Sequence, residues 1–339
     1  MSAKLKKILL VGGGTLGSVM PLLAVTKKYP ADYSFWGTPN GPEVLLIKEK
    51  NIKFRSILSG KLRRYWDLEN FKDLFKIKLA FWQSLYLLSR LKPDIILTAG
   101  SFVAVPVVYA AKFLRIPTIV HQQDLSIGLA NKLMAPMATK ITVTFPEQVK
   151  FFKAKKTIVT GNPVRLKYKH LEHQPSILIT GGGLGARAFN AFVQEFLPIL
   201  TQNFQVHHIL GKNNFDQSLN LPNYHPYDFV TVKMIDLLNQ ADLVISRAGM
   251  SMITETAVLK KALILIPIPA SHQEKNAEFF ARHNAAIYVR QGSNKIMARY
   301  LEKILNKKDL RLKLGENLYN LFPKNSVDNY IKVIEDILS

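Results

Sequence analysis

The sequence contains no cysteine, which excludes a disulfide framework and any metal site built on thiolates, and which fits a cytosolic home. Acidic residues are scarce: 24 Asp and Glu stand against 46 Lys and Arg, a formal net charge of +22. An excess of that size calls for an anionic partner, whether nucleic acid, membrane surface or phosphorylated substrate. Nucleic acid drops out first, because no stretch reads as an aromatic-basic platform or a recognition motif. No window reaches the roughly 18 uninterrupted apolar residues of a spanning helix. The basic, apolar start MSAKLKKILLVGGG is too short for a secretion signal and its cleavage site, and it runs directly into glycine, so it reads as a first strand. The spaced G-x-G-x-x-G of dinucleotide folds is missing too. Glycines are contiguous at 12–14, and the second apolar run, 33–36, leads into Gly37 and Thr38 rather than an acid, so a nicotinamide site loses ground.

What is present, 339 residues with 48% apolar content, is enough for two domains with ample cores. The most informative stretch is 242–277. Residues 243–245 fit a buried parallel strand, Ser246, Arg247, Ala248 and Gly249 a small-residue turn, and 250–259 a helix with Ser251 or Thr254 near its start. A strand ending in a glycine turn and opening a helix directs bare N–H groups at an anion. One turn in, Glu255 offers a carboxylate suited to a ribose diol. After the next apolar strand, 263–268, comes a polar cluster: His272, Gln273, Glu274, Lys275 and Asn276. The order phosphate turn, ribose acid, amide cluster suggests a nucleotide carrying a sugar. The same spacing also fits an ordinary βαβ unit with a solvated loop.

The chain carries this pattern twice. A strand at 8–11 enters the loop Gly12 to Ser18 and a helix at 21–28; a strand at 176–180 enters the loop Gly181 to Ala186 and another helix. Two successive doubly wound α/β domains follow, with a boundary near 161–174 and facing carboxyl ends that would enclose a cleft. Within the first of them, 61–90 has helical spacing with two apolar stripes. Leu74, Ile77, Phe81, Leu85 and Leu88 form a core-facing one. Phe71, Phe75, Leu79, Trp82 and Tyr86 form the other, with Lys72, Lys76 and Lys78 beside it. That second stripe reads as a patch for an anionic bilayer surface, or else both stripes are buried between the sheet and a neighbouring helix. His121 follows the strand at 118–120 and reads as a satisfied core histidine rather than a catalyst. Asp124, beside it, is either a proton acceptor at the carboxyl edge of the sheet or the cap of a helix starting near Ser126. Arg165, in the rigid turn Gly161 to Arg165, could pin a phosphate. The chain after Gly292 is helical to Phe322, where Pro323 breaks it; a last helix starts near Val327.

Seven short motifs in fixed order resemble the MurG family over nearly the whole chain. They are GGGTLGS at 12–18, GKLRRY at 60–65, HQQDLSIGLANK at 121–132, GNPVR at 161–165, TGGGLGAR at 180–187, SRAGMSMITE at 246–255 and HQEKNA at 272–277. The form with Asp124 and GKLRRY looks like the streptococcal and lactobacillal branch. The resemblance implies a GT-B fold, with residues 1–162 as the acceptor- and membrane-facing domain, 163–322 as the UDP-sugar-binding domain and 323–339 as a helix crossing back to the first. It implies a peripheral enzyme of the cytoplasmic membrane face, active in peptidoglycan synthesis and so in cell shape and division. That enzyme moves N-acetylglucosamine, with inversion, from its UDP donor to an undecaprenyl-linked muramyl-pentapeptide pyrophosphate, with no cofactor or resident metal and with cell-wall synthesis proteins as candidate partners. Carried over, Ile235 would meet the uracil, Glu255 the ribose, and Met250, Ser251 and Thr254 the diphosphate with help from Arg165. Gln273 and Asn276 would read the sugar, and Gly183 would belong to the donor loop. Thr15 and Gly17 would sit by the acceptor pyrophosphate and reaction centre. Ser18 stands where the family has histidine, Gln122 where it has glutamate, and Gly183-Leu184 where it has Ser-Gln. The residues therefore leave Asp124 as the candidate base, with Ser18 hydrogen-bonding the acceptor. A transferase acting on another lipid or glycan, or a catalytically weak nucleotide-sugar binder, stays open.

Overall fold

The computed structural model describes residues 5–58, 69–166, 173–182, 185–211, 221–228, 230 and 233–339, with the side chains of 69–75 set aside. The chain divides into two compact units: Met1–Arg165 with Pro323–Ser339, and Leu166–Phe322.

In the first unit the strands are β1 (Lys7–Val11), β2 (Asp32–Gly37), β3 (Lys53–Ser56), β4 (Ile95–Thr98), β5 (Thr118–Gln122), β6 (Lys140–Val143) and β7 (Thr157–Val159). They pair in parallel in the order β3-β2-β1-β4-β5-β6-β7. Each strand is a nearly unbroken apolar run because both faces are covered. In β1, Ile8 and Leu10 face the layer of the helices Met20–Thr26, Glu43–Glu49 and Ser326–Leu338. Leu9 and Val11 face the opposite layer, where the helices Glu69–Leu91, Ala104–Phe113 and Leu129–Met134 pack. The last helix thus belongs to the first unit. Tyr330, Val333 and Ile334 bury against the sheet, and Lys28 pairs with Asp328.

The second unit repeats the plan with β8 (Ser176–Thr180), β9 (Gln205–Ile209), β10 (Tyr224–Tyr227), β11 (Leu243–Ser246), β12 (Ala262–Leu265) and β13 (Ile287–Tyr288), all parallel, in the order β10-β9-β8-β11-β12-β13. Its core joins Ile177, Ile179, Leu243, Ile245 and Ile264 to Phe189, Val193 and Leu301 from the covering helices. In both sheets the chain winds outward from one strand and then restarts on its other side. The switch points are β1/β4 and β8/β11, and ligands of such sheets sit at the carboxyl ends there.

Some boundaries differ from the periodicity. The helix expected from 61 begins, within the described residues, at Glu69. The helix expected near Ser126 starts at Leu129, because the preceding backbone is held extended, with Gly128 at ψ 150. The stretch after Gly292 is two helices, Asn294–Asn306 and Lys308–Leu321, parted where Lys307 turns to φ −120 and ψ 93.

His121 lies on β5 and is fully buried. Its Nε2–H donates to Asn162 Oδ1 at 3.0 Å, and its Nδ1 accepts from the Thr142 hydroxyl at 2.9 Å. Burial pushes its pKa down from 6.5 to about 4, and burial does the same to His208 of the second unit, also to about 4. Both imidazoles fold neutral, whereas the unfolded chain protonates them near 6.5. The stability they contribute is complete above that pH and is lost as pH falls from about 6.5 toward 4. Each contributes on the order of 3 kcal/mol at most. Melting temperature, followed by circular dichroism, is expected to fall across that window, and less steeply in His121→Asn than in the parent chain. A flat profile from pH 7 to 4.5 would contradict the assignment.

Candidate functional site

At the β1/β4 switch point the glycine loop Gly12 to Ser18 is held from every side. Gly12 N–H donates to Trp36 O at 3.1 Å, Gly13 N–H to Ser18 Oγ at 3.2 Å and Gly14 N–H to Glu43 Oε2 at 3.2 Å. The hydroxyl of Ser101, from the turn after β4, donates to Gly13 O at 2.8 Å. Gln123 Nε2 donates to Gly17 O at 3.0 Å and to Ala99 O at 3.2 Å. Two features explain the glycines. Gly13 and Gly14 take φ of +147° and +78°, and a Cβ on Gly13 would overlap the Glu43 carboxylate. Ser101 itself sits at φ +95°, a costly position for a residue with a side chain and one that a tightly packed loop must enforce.

This geometry alters several sequence readings. Ser18 is buried and spends its hydroxyl inside the loop, accepting from Gly13 N–H and donating to Thr15 O at 3.4 Å. The acceptor hydrogen bond expected of it is therefore replaced by loop closure. Thr15 is exposed on the loop and Gly17 is half-buried. Gln122 is likewise internal. Its Nε2 donates to Asp124 O at 2.6 Å and Ser126 O at 3.0 Å, and its Oε1 accepts from Asn131 Nδ2 at 2.7 Å. A carboxylate at position 122 would face two carbonyl oxygens; the amide suits the site. Asp124 is half-buried, and its main-chain oxygen also takes Gln148 Nε2 at 2.6 Å. The capping reading for Asp124 falls, since the helix that follows begins at Leu129 with Gly128 at the cap and no side-chain cap bond. Gln123 brings the 122–124 segment against Gly17 of the glycine loop. Sequence reasoning missed Glu43. This fully buried carboxylate accepts from Thr38 N–H at 2.8 Å, Thr38 Oγ1 at 2.6 Å and Gly14 N–H, and no local pattern marks it.

The β8/β11 switch point carries the second set. Gly181 follows β8; Arg247, Ala248 and Gly249 follow β11 and open the helix Met250–Val258, whose cap is Gly249 with no side-chain bond. The first turn of a helix presents N–H groups that it cannot satisfy itself, and the positive end of its dipole. Ser251 is half-buried in that turn. Met250 packs its side chain inward, leaving only main chain for a ligand. Thr254 is buried, and its hydroxyl back-bonds to Met250 O at 2.7 Å. Glu255 follows at 5% exposure. Asn276 is fully buried, and its Nδ2 donates to Ala248 O at 3.0 Å, strapping it to the turn. Gln273, half-buried, accepts from Ile268 N–H at 3.2 Å through Oε1, which leaves its NH₂ as the outward donor. Ile235 lies half-buried on the helix Lys233–Gln240. Gly183 lies outside the described residues. Arg165 falls in the first unit, where burial first and then the Arg165 charge lower the pKa of Lys27, and where the Arg165 Nε is buried without a partner. No group of three or more His, Asp or Glu among the described residues is placed to hold a metal ion.

The helix Glu69–Leu91 separates its stripes as charge and packing demand. Phe81, Leu85 and Leu88 join the core, while Leu79, Trp82 and Tyr86 stay exposed, Trp82 to 64%, with Lys76 and Lys78 exposed beside them. The reading of both stripes as buried is overturned for these residues. Phe71, Lys72 and Phe75 have side chains outside the described set. The neighbouring helix Ala104–Phe113 packs on this one and ends in Phe113, which is 73% exposed. No helix among the described residues is long and apolar enough to cross a membrane.

Residues 8–143 match the glycosyltransferase family 28 N-terminal domain and residues 176–324 the glycosyltransferase family 28 C-terminal domain. A UDP-N-acetylglucosamine--N-acetylmuramyl-(pentapeptide) pyrophosphoryl-undecaprenol N-acetylglucosamine transferase of Clostridium botulinum (strain Kyoto / Type A2) is 38% identical over 98% of this chain and 99% of its own. A protein of the same name from Clostridium novyi (strain NT) is 36% identical over 97% and 98%. Among solved structures, Acinetobacter baumannii MurG superposes with a TM-score of 0.74 at 26% identity, covering 98% of this chain and 99% of that one. A Neisseria meningitidis UDP-GlcNAc 2-epimerase bound to UDP-GlcNAc shares the fold, with a TM-score of 0.71 at 14% identity over 97% of this chain and 100% of that one. Two Rossmann-like parallel sheets, both family 28 domains and near-complete coverage of these relatives lead to one conclusion: the chain is a GT-B protein that belongs to glycosyltransferase family 28 and, within it, to the MurG family.

Proposed function

We infer that this chain transfers N-acetylglucosamine from UDP-N-acetylglucosamine to undecaprenyl-pyrophosphoryl-N-acetylmuramyl-pentapeptide, the step that completes the lipid-linked disaccharide of peptidoglycan. The observation that carries this is the 38% identity to a so-named transferase over 98% of the chain, and the switch point in each sheet, where sheets of this kind take ligands, supports it. In the second unit the N–H groups of the helix start receive the diphosphate, Glu255 the ribose diol, Ile235 the uracil and the Gln273 amide the sugar. In the first unit Thr15 and Gly17 border the acceptor pyrophosphate. The acceptor hydroxyl attacks the anomeric carbon opposite the nucleotide. The bond to the β-phosphate oxygen breaks, its electron pair leaves with UDP, and the hydroxyl proton passes to Asp124, giving inversion. Incubation with UDP-N-acetylglucosamine and a short-chain lipid-linked muramyl-pentapeptide tests this. UDP release that requires both substrates is expected. Turnover only with a different acceptor would reassign the substrate, and none with any acceptor would leave a nucleotide-sugar binder.

The acceptor's lipid chain requires access to a bilayer, and the exposed face of Leu79, Trp82 and Tyr86, bordered by Lys76 and Lys78, is the candidate for it. Aromatic insertion and cation attraction act together, each lysine adding on the order of 1 kcal/mol near an anionic surface. Sedimentation with vesicles rich in anionic lipid is expected to weaken with salt and to weaken further in Leu79→Ser, Trp82→Ser. Binding indifferent to both would remove this face from the membrane reading.

A further inference from the structure

One peptide of the first glycine loop is gripped at both ends. The Gly13 carbonyl accepts from the Ser101 hydroxyl at 2.8 Å, and the N–H of the same peptide, that of Gly14, donates to Glu43 Oε2 at 3.2 Å. A peptide between two glycines turns over at little steric cost, so its hydrogen bonds select its orientation. Both gripping residues are costly to the fold. Glu43 is fully buried, its other partners are the N–H and hydroxyl of Thr38, and no Lys or Arg among the described residues pairs with it. Gly37 and Gly41 stand around it with no positive φ, yet a Cβ on Gly41 would overlap its carboxylate and one on Gly37 would lie 3.1 Å from it. Glycine at those two positions makes room for the acid. Ser101, in turn, bears a left-handed φ of +95° at which glycine would rest without cost.

Loop closure calls for neither residue, since Gly12 N–H already bonds Trp36 O and Gly13 N–H bonds the Ser18 hydroxyl. What Ser101 and Glu43 add is the direction in which the Gly13–Gly14 peptide faces, and Thr15 follows that peptide directly. We propose that Ser101 and Glu43 are positioning residues for the acceptor: they lock the Gly13–Gly14 peptide in one orientation and thereby fix the backbone from Thr15 to Gly17. This proposal rests on the reading above that sets Thr15 and Gly17 beside the acceptor pyrophosphate. A reacting group displaced by about 1 Å loses on the order of 100-fold in rate, so a freed peptide is felt in transfer. Both residues belong to the first unit, and the donor contacts of the second unit do not depend on them. In Glu43→Gln the amide oxygen can keep the two Thr38 donors, while its NH₂ is left facing the Gly14 N–H, which breaks the grip at one end.

Steady-state kinetics with UDP-N-acetylglucosamine and the short-chain lipid-linked muramyl-pentapeptide, with UDP calorimetry and thermal melting alongside, test it on the full chain and on Ser101→Gly, Ser101→Ala and Glu43→Gln. The two serine variants both lack the hydroxyl, but only Ser101→Ala keeps the backbone cost, so it is expected to melt below Ser101→Gly. Despite that difference in stability, both are expected to lose at least about tenfold in kcat/KM for the acceptor, to the same extent within about threefold, with UDP affinity within about twofold of the parent. Glu43→Gln is expected to show the same split between acceptor and donor. Turnover that follows stability instead, near-normal in Ser101→Gly and low only in Ser101→Ala, would show a purely structural role and overturn the proposal. Acceptor kcat/KM within about twofold of the parent in any folded variant would overturn it too, as would UDP affinity falling in step with kcat/KM. Should Glu43→Gln fail to melt cooperatively, the serine pair decides alone. A parent chain that transfers nothing to this acceptor would instead overturn the acceptor reading, and this proposal with it.

Discussion

Replacing Asp124 with Asn is expected to lower turnover at least about 100-fold while leaving UDP affinity and melting temperature unchanged. The acceptor hydroxyl must lose its proton as the glycosidic bond forms, and a positioned base contributes about 10²–10⁴-fold. The neighbouring candidates cannot serve. Ser18 is a hydroxyl already spent within the glycine loop, and Gln122 is an amide spent on two carbonyls. Glu43 is fully buried and holds three donors. Asp124 is a half-buried carboxylate next to Gln123, which bonds Gly17. The bonds that Gln122 and Gln148 make to residue 124 go to its main-chain oxygen, so the change from carboxylate to amide leaves them intact. A structural role would therefore show as a lowered melting temperature with turnover retained. Near-normal kcat in Asp124→Asn would remove it from the chemistry, and another proton acceptor would have to be sought.

Glu255→Ala is expected to weaken UDP binding by roughly 1.5–3 kcal/mol, about 10- to 150-fold, the value of a charge-assisted contact to the ribose diol. Because the ribose is common to both ligands, uridine should weaken by the same factor as UDP. Glu255 sits in the second turn of the Met250–Val258 helix, where a methyl group is easily accommodated, and alanine favours the helix. A rise in the donor KM with little change in kcat would follow, since the ribose contact is made equally in the ground state and the transition state. UDP affinity unchanged in calorimetry would end the ribose assignment.

The sequence by itself determined the parts of this protein that local physics encodes. Apolar runs such as Ile95–Thr98 with glycine at their ends read as buried parallel strands because both faces of such a strand lose water. The two loops Gly12 to Ser18 and Gly181 to Ala186, each after a strand, announced two sheets of one design, and the order of seven motifs pointed to the family. The separation of Phe81 and Leu88 from Leu79 and Trp82 follows from a 3.6-residue period, although only packing decided which stripe stayed in water. Tertiary structure decided what each polar side chain does. Glu43, Ser101 and Gln123 reach the first glycine loop across 29, 88 and 106 residues of chain, and Asn276 reaches Ala248 across 28. A hydrogen bond is specified by angle and distance between two atoms, and at such separations only the folded chain fixes either. That is why Ser18, Gln122, Thr254 and Asn276 were legible as residues near a site, and why their bonds turned out to hold the protein's own backbone.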